Sequence, residues 1–459
     1  MIKESDPRAA ENAAADTSGA TTTPAIRQST GPATGPSRGR GREHFPLGTA
    51  LLVALAVFAI ESTWMFYDAQ VPPLVQQYVG SAAVIGLLMG MDNVIGIFVQ
   101  PWIGNRSDRT RTRLGRRIPY LLALAPLAAL AFVLLPYAGS APVLFVLMIA
   151  YALTANLLKP MAEALLPDFL APQNRGRGTA IVKIGGSLAI VISALLSLLL
   201  VDDHPEASFV VPAVIMLVAI AVVALRLRER NSLGYQAALA HDAAHDAPRQ
   251  GMRMRDVLVA LVTAPRRSAL LLLLGTFLFV GAWTGMRALM TPYGMETLGL
   301  TRGQAGGLPI VAGLAFLITA YPTALAGRRW GKLPSALVGV GLFSLAMIVA
   351  ASAPDRTVTT VALVVAAIGY GAFIINAVVL WWDLAPSQAV LGTMTGIWTA
   401  LLALSSTFGP AIVGTFIDLT DWRWMLLDVA ALSIVSLIPL SMIRSKKTNV
   451  TEESHESDR

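Results

Sequence analysis

The sequence predicts an all-α membrane protein with twelve transmembrane helices, arranged as two six-helix bundles. Three observations support this fold class: an apolar composition, twelve long apolar stretches, and basic residues concentrated in alternate loops. Of the 459 residues, 55% are hydrophobic and 14% are charged, and the mean hydropathy is +0.62. Ordinary soluble domains carry roughly 25% charged residues, so a chain of this composition needs lipid as part of its solvent.

Twelve apolar stretches have the length that a membrane crossing requires. A helix that crosses the roughly 30 Å hydrocarbon core needs about 20 mainly apolar residues. The predicted spans lie near residues 47–69, 82–103, 118–137, 142–165, 178–200, 208–226, 268–290, 305–326, 334–352, 358–381, 390–414 and 424–443.

The basic residues predict the orientation, because loops rich in Lys and Arg stay in the cytoplasm. With both termini inside, the short external loops contain only Arg302, Arg356 and Arg423. The short cytoplasmic loops contain many more basic residues: Arg106, Arg109, Arg111, Arg113, Arg116, Arg117, Arg175, Arg177, Arg328, Arg329 and Lys332. Two inside termini require an even number of spans, in agreement with twelve. We therefore expect a multi-pass protein of the cell membrane with both termini in the cytoplasm.

The predicted organisation has five parts. Residues 1–45 form a disordered cytoplasmic tail, because their Ala, Thr, Gly, Pro and Ser content cannot build a core. The other parts are a first six-helix bundle at 46–226, a cytoplasmic linker at 227–265, a second bundle at 266–444 and a cytoplasmic tail at 445–459. The net charge of +7 resides in short runs between apolar stretches, so we expect no nucleic-acid partner. We expect a monomer in the lipid bilayer.

Several classes of catalytic and metal site are absent from the sequence. The chain has no cysteine, so it has neither a disulfide framework nor a thiolate metal site. It contains no Walker A loop, HExxH motif or G-x-S-x-G elbow. His241, Asp242, His245 and Asp246 have metal-ligand spacing but no third fixed ligand, and we interpret them as solvated linker. We therefore expect no cofactor, no metal and no enzymatic activity.

The two halves of the chain repeat each other. Residues 171–179, with Ala-Pro followed by Gly-Thr, recur at the same spacing as residues 385–393. Each segment follows an acidic residue, Asp168 or Asp383. Tandem halves joined by a long cytoplasmic linker follow the parallel-repeat plan of major facilitator transporters, in which the substrate site lies between the halves near the midplane.

The segment after span two carries a more specific resemblance. Residues 100–109 read Q-P-W-I-G-N-R-S-D-R, and residues 115–119 read G-R-R-I-P. This segment resembles the loop between helices two and three of major facilitator transporters, and more narrowly that of the sucrose/proton symporter branch. Residues 159–168, with Arg175 beyond them, are similar to the region of helices four and five in that branch. The resemblance implies the major facilitator fold and a sugar or glycoside substrate.

The same segments supply a candidate cytoplasmic gate. Gly104 is expected to let the chain turn tightly as it leaves the membrane, and Asp108 to pair with neighbouring Arg side chains. Such contacts would latch the cytoplasmic side shut in an outward-open state. The candidate gate residues are Gly104, Asp108, Arg109, Gly115, Arg116, Arg117, Asp168 and Arg175.

Ionisable side chains lie inside several predicted spans. Such a group costs about 2.5–3.5 kcal/mol near the bilayer centre, so it normally faces a partner or a water-filled cavity. Three sets share one helical face each: Glu61, Trp64 and Asp68 in span one, Asn156, Lys159 and Glu163 in span four, and Trp283 and Arg287 in span seven. Lys159 could pair with Glu163 within its helix. Asp92 lies at the centre of span two without a basic residue within one turn.

By resemblance, spans one, four, seven and ten line the transport cavity, which adds Asn376 of span ten. Trp64, Tyr67 and Trp283 have flat apolar faces suited to stacking on a sugar ring. The candidate proton- or cation-coupling residues are Asp92, Glu61, Asp68 and Glu163. The candidate substrate-binding residues are Trp64, Tyr67, Lys159, Asn156, Trp283, Arg287 and Asn376.

These observations predict a secondary active transporter that couples symport of a glycoside, or a related small polar solute, to a proton or another cation. An alternative is a proton-coupled exporter of drug-like molecules or metabolites. Span five lacks the G-P-x-x-G-G pattern of drug antiporters, but Gly409-Pro410 and Gly414 in span eleven keep a related motif. A remote alternative is a membrane-embedded enzyme or sensor, for which the sequence offers no catalytic constellation.

Overall fold

Long helices make up almost all of the structure. The computed structural model describes residues 45–236, 239, 267–384 and 391–443. Within these residues thirteen α-helices follow one another: α1 Leu47–Gln76, α2 Ala82–Asp108, α3 Ile118–Leu134, α4 Ala141–Phe169, α5 Arg175–Leu200, α6 Val210–Arg226, α7 Ser268–Glu296, α8 Arg302–Gly307, α9 Pro309–Trp330, α10 Lys332–Ser352, α11 Arg356–Asp383, α12 Leu391–Leu419 and α13 Met425–Ser441.

The predicted all-α membrane fold is confirmed. Eleven of the described helical segments are each long and apolar enough to cross a membrane. The eighth span comprises α8 and α9 and bends by 50° at the break between Thr319 and Tyr321. With this bent span, the described residues contain six crossings before the linker and six after it.

Several helices run past the ends of the predicted spans. Helix α1 continues beyond residue 69 through Pro72 and Pro73 to Gln76, although proline removes a helical hydrogen bond. Residues 71–75 are all buried, so packing against neighbouring helices compensates for the lost hydrogen bonds. Hydropathy alone did not predict this extension, because it detects apolar length and not tertiary packing.

The two halves meet along helices with small residues at the contact. Helix α2 packs against α12, where Gly86 and Gly90 face the backbone of Pro410 and Thr407. A Cβ atom at either glycine would overlap those backbone atoms, so glycine permits this close approach. Helix α5 packs against α8 and α9, and α1 packs against α7.

One end of the bundle, which we call the closed end, joins the halves through polar contacts. It carries the connections at residues 77–81, 201–206, 297–301 and 420–421. Asp418 at the end of α12 accepts a hydrogen bond from Ser81, which precedes α2. Asp202, which follows α5, accepts a hydrogen bond from Thr301, which precedes α8. The two contacts are repeat-related, and each connects one half to the other.

The opposite end, which we call the basic end, carries the connections at residues 109–117, 170–174 and 227–236. Between described residues, its ion pairs join side chains of the same half. Arg116 and Arg117 pair with Asp108 and Asp168 in the first half, and Lys332 pairs with Asp383 in the second. The described polar contacts between the halves are thus concentrated towards the closed end and the centre.

Parts of the predicted organisation lie outside the described residues. They are the tail at residues 1–44, the linker at 240–266 with its His241–Asp246 cluster, the Ala-Pro pair at 385–386, and the tail at 444–459. The boundaries between the five predicted parts remain predictions.

Candidate functional site

Helix α1 directs its polar face into the centre of the molecule. Glu61, Trp64 and Asp68 line one cavity, as their spacing along the helix predicts. Arg287 of α7 donates a hydrogen bond to Asp68, with 2.7 Å between Nη2 and Oδ2. This ion pair joins the two halves, because α1 and α7 belong to different bundles.

The cavity around these residues, which we call the polar cavity, has a volume of about 290 Å³ and contains most of the candidate coupling groups. Its walls come from α1, α2, α4, α7 and α12: Glu61, Trp64, Met65, Asp68, Met89, Asp92, Asn93, Lys159, Thr284, Arg287, Ala288, Ser406 and Pro410. Both halves therefore contribute to it.

Lys159 pairs with α1 rather than within its own helix. Its Nζ lies 3.1 Å from Oε1 of Glu61 and 5.2 Å from the centre of the Trp64 ring. Between described residues, the ion pair of Lys159 is with Glu61 and not with Glu163 one turn away, and Glu163 lines neither of the central cavities. Glu61 offers Lys159 a carboxylate inside the cavity, where an unpaired cation would be costly.

Asp92 is the carboxylate of the polar cavity without an ion-pair partner among the described residues. Its side chain is buried, with 5% of the residue exposed. One carboxylate oxygen accepts hydrogen bonds from the backbone N–H and the side-chain amide of Asn93, both at 2.7 Å. The two cations that line this cavity, Lys159 and Arg287, pair with Glu61 and Asp68. Among the described residues, three carboxylates and two cations thus line the polar cavity.

A second cavity adjoins the first, and we call it the aromatic cavity. It has a volume of about 240 Å³ and shares Met65, Asp68 and Arg287 with the polar cavity. Trp283 lines it and stacks on Tyr370, with 4.3 Å between the ring centres and 8° between the planes. The remainder of the wall is mostly apolar and includes Phe316, Met286 and Met290.

The sequence-based site missed Tyr370 and Phe316. Tyr370 lies on span ten, and the resemblance implies that this span lines the cavity. An aromatic residue on that span could therefore have been named as a candidate for substrate binding. Phe316 lies on α9 in span eight, and no local pattern distinguishes it from the many apolar residues around it.

Tyr67 does not line either central cavity, contrary to the prediction that it stacks on a sugar. Only 3% of the residue is exposed, and its ring stacks on Tyr151 at 4.9 Å. Successive residues of a helix point in different directions, so Tyr67 faces the core of the first half while Trp64 and Asp68 face the cavity.

Asn156 and Asn376 lie in helix contacts rather than in the wall of either cavity. Asn156 donates to the carbonyl oxygens of Asp92 and Ala152, both at 2.9 Å. Asn376 donates in the same pattern to Thr323 at 3.3 Å and to the carbonyl four residues earlier. A buried amide needs such partners, so these two residues tie α4 to α2 and α11 to α9.

Four of the candidate gate residues form one cluster at the basic end, which we call the gate cluster: Asp108, Arg116, Arg117 and Asp168. Arg116 donates from Nε to Asp168 at 3.1 Å, and Arg117 contacts both Asp108 and Asp168. Arg175 instead donates to the carbonyls of Leu170 and Pro167 at the end of α4. Arg109 is exposed and lies outside this cluster.

Gly104 does not make the predicted turn, because α2 continues through it to Asp108. The turn is made by Gly115, whose φ of 113° is one that favours glycine. Gly115 packs against Glu229, a residue that the sequence reading missed.

Glu229 lies after α6 and fastens the start of the linker to the gate cluster. Its fully buried carboxylate accepts hydrogen bonds from the backbone N–H groups of Arg117 and Ile118, at 2.8 and 2.9 Å. Burial raises the pKa of Glu229 above its ordinary value, and these N–H donors limit the rise. The linker therefore begins as a part of the first half.

A family model described as Major Facilitator Superfamily matches residues 53–389 and 272–458, which together cover most of the chain. The chain belongs to the Major Facilitator Superfamily. It is accordingly a multi-pass secondary transporter for small molecules and not an enzyme, which removes the remote enzymatic alternative.

Relatives of this major facilitator protein carry names that indicate different substrates. It is 32% identical to Multidrug resistance protein Stp of Mycobacterium tuberculosis, over 21% of this chain and 17% of that protein. It is 24% identical to a gentisate transporter of Corynebacterium glutamicum, over 81% of this chain and 79% of that protein. It is 28% identical to a maltose permease of Geobacillus stearothermophilus, over 59% and 61%. Two of these matches thus cover less than two thirds of the relative.

A solved structure has the same fold. It is a bacterial homologue of the human lysosomal transporter Spinster in an inward-facing, unoccupied conformation, with a TM-score of 0.67 and 14% identity. The match covers 87% of this chain and 96% of that chain.

Proposed function

We propose that this transporter is a proton-coupled symporter that carries a glycoside across the cell membrane by alternating access. One observation carries the proposal: the polar and aromatic cavities adjoin and share Asp68 and Arg287, one from each half. A site assembled from both halves changes the side to which it is exposed when the halves rock against each other.

A glycoside has the mixed chemistry that the two cavities offer. Its hydroxyl groups can hydrogen-bond to polar side chains such as Asn93 and Lys159. The apolar face of its sugar ring, or of an aromatic aglycone, can stack on Trp64 or on the rings beside Trp283. The similarity to a maltose permease also supports a sugar substrate.

The charge balance of the polar cavity favours a proton as the coupling ion and a neutral solute. Both lining cations are paired, which leaves Asp92 as the surplus carboxylate. A charged and unpaired carboxylate is costly in a buried site. We infer that Asp92 takes up a proton during the transport cycle. The surplus negative charge disfavours an anionic solute.

The orientation inferred from the basic loops places both termini in the cytoplasm and the closed end outside. The described contacts then correspond to an inward-facing state. Rupture of the closed-end contacts, together with closure of the basic end, would produce the outward-facing state.

Export of an aromatic or drug-like molecule is the second candidate function. The mostly apolar wall of the aromatic cavity favours it, as does the similarity to Stp, whose name indicates multidrug resistance. In that case Asp92 would exchange a proton for a cationic solute.

Uptake into proteoliposomes separates the two candidates. With an alkaline interior, the protein should accumulate labelled maltose or an aryl glucoside, and a protonophore should abolish the accumulation. Phe316→Ala should raise KM for the aryl glucoside about three- to tenfold through the loss of aromatic contact. Phe408→Ala, at an exposed site on α12, is the matched control. Proton-driven movement of aromatic cations without any sugar accumulation would favour the exporter.

A further inference from the structure

A groove at the surface of the basic end lies outside the transport site. It occupies about 410 Å³ beside the last turns of α2 and the first turn of α3. Its lining consists of polar and aromatic residues: Trp102, Asn105, Arg106, Arg109, Thr110 and Tyr120. The proposed transport mechanism does not use these residues. Arg109 was a gate candidate in the sequence analysis, but it lies outside the gate cluster.

Helix α2 changes from apolar to basic along the face that leads into this groove. Phe98, Trp102, Arg106 and Arg109 follow at positions i, i+4, i+8 and i+11, which places them on one side of the helix. Phe98 is 73% exposed and Trp102 is 58% exposed. Arg106 lies over the Trp102 ring, with 5.9 Å from Cζ to the ring centre. This order matches the passage from acyl chains to headgroups in a bilayer leaflet.

The two guanidinium groups of the groove have no ion-pair partner within the part of the chain that the structure describes. The carboxylate nearest in sequence, Asp108, contacts Arg116 and Arg117 instead. No carboxylate lines the groove among the described residues. Guanidinium groups bind phosphate oxygens through paired N–H donors.

We propose that this groove binds the phosphate of an anionic phospholipid headgroup. The exposed apolar residues beside Arg106 favour a lipid over a soluble phosphate compound, because they would contact its acyl chains. In the inferred orientation the groove faces the cytoplasmic leaflet, where basic pockets between transmembrane helices bind anionic headgroups. The bound lipid would brace the end of α2 next to the gate cluster.

The test measures lipid binding to the purified full chain by native mass spectrometry, with phosphatidylglycerol, phosphatidylcholine and inorganic phosphate as separate probes. The wild type should prefer phosphatidylglycerol. The double variant Arg106→Gln/Arg109→Gln should bind it about thirtyfold more weakly, since each basic residue near a membrane surface contributes about 1 kcal/mol. The control Arg113→Gln/Arg177→Gln removes two exposed charges from the same end and should retain the preference.

The double variant Arg106→Lys/Arg109→Lys keeps the charge but lacks the paired N–H donors of guanidinium, so its loss of phosphatidylglycerol binding should be intermediate. This variant also tests the proposal if the Gln double variant does not fold. An equal loss in both Gln double variants would overturn the proposal in favour of a general attraction between the basic end and anionic lipid. Equal binding of inorganic phosphate and phosphatidylglycerol would overturn the lipid proposal, because it would indicate a site for free phosphate.

Discussion

Ser81 donates its hydroxyl hydrogen to Asp418 across the interface between the halves, with 2.5 Å between Oγ and Oδ2. The same carboxylate accepts hydrogen bonds from the backbone N–H groups of Ala82 and Ala83, at 2.7 and 3.1 Å. Asp418 at the end of α12 therefore caps the first turn of α2, where the helix dipole favours negative charge.

Asp202 forms the repeat-related cap. It accepts hydrogen bonds from the Thr301 hydroxyl at 2.6 Å and from the backbone N–H of Gly303 at 2.8 Å. Each half therefore supplies one aspartate that caps a helix of the other half. Because both caps cross the interface between the halves at the closed end, we expect them to stabilise the state in which that end is closed.

Asp418→Ala should shift the conformational equilibrium away from the state described here. A helix cap contributes about 1 kcal/mol, so its loss should change the equilibrium about fivefold. Spin labels on Gln77→Cys and Arg423→Cys in this cysteine-free chain should report a larger population of long distances. Asp203→Ala, at the exposed neighbour of Asp202, is the control. An unchanged distance distribution in Asp418→Ala would contradict the capping role.

The ion pair between Lys159 and Glu61 should stabilise the folded protein, so that loss of either charge leaves the other without its partner. Their side chains are 32% and 19% exposed. Removal of one partner of a buried pair costs about 3–5 kcal/mol, and partial exposure should reduce this to about 1–2 kcal/mol. Lys159→Gln and Glu61→Gln should each lower Tm, and the double variant should recover most of the loss. Additive losses would show that the two charges do not interact.

Asp108 should matter most when the basic end closes. It contacts Arg116 and Arg117 within the first half, and we expect this cluster to latch that end in the outward-open state. Asp108→Asn should slow transport while expression persists, and should increase labelling of Ser406→Cys in the polar cavity from the basic end. If Asp108→Asn transports and is labelled at wild-type rates, Asp108 does not latch the basic end.

The orientation can be tested with single cysteines in intact cells. Gln236 and Glu206 are both exposed and lie at opposite ends of the bundle. Gln236→Cys should be protected from an impermeant thiol reagent, and Glu206→Cys should be labelled. The reverse pattern would show that the basic end is outside.

Local properties of the sequence were sufficient to predict the fold. Twelve spans follow from apolar length, and Asp92 and Lys159 are conspicuous because charges are rare inside spans. The ionisable face of Glu61 and Asp68 follows from helical spacing alone. These features need no knowledge of which helices are neighbours.

The partners of the site residues could not be predicted in the same way, because they depend on helix packing. Lys159 pairs with Glu61 of another helix instead of Glu163 one turn away. Tyr67 is turned towards Tyr151, and Tyr370 stacks on Trp283 from a distant part of the chain. Gly104 fits a turn in sequence, but α2 is long enough to include it.

Asp92 should carry the coupling proton, because it is buried and has no ion-pair partner among the described residues. Asp92→Asn keeps the size of the side chain and removes its titration. Glu61→Gln is the competing test, since Glu61 lines the same cavity but already pairs with Lys159.

The most direct test of coupled transport compares two measurements on Asp92→Asn in the same proteoliposomes. One is glycoside accumulation driven by a pH gradient, and the other is downhill exchange of the same glycoside. The proposed mechanism predicts that accumulation is abolished, with equal concentrations inside and outside, while exchange persists. Full accumulation by Asp92→Asn, together with its loss in Glu61→Gln, would contradict this assignment and move the coupling role to α1.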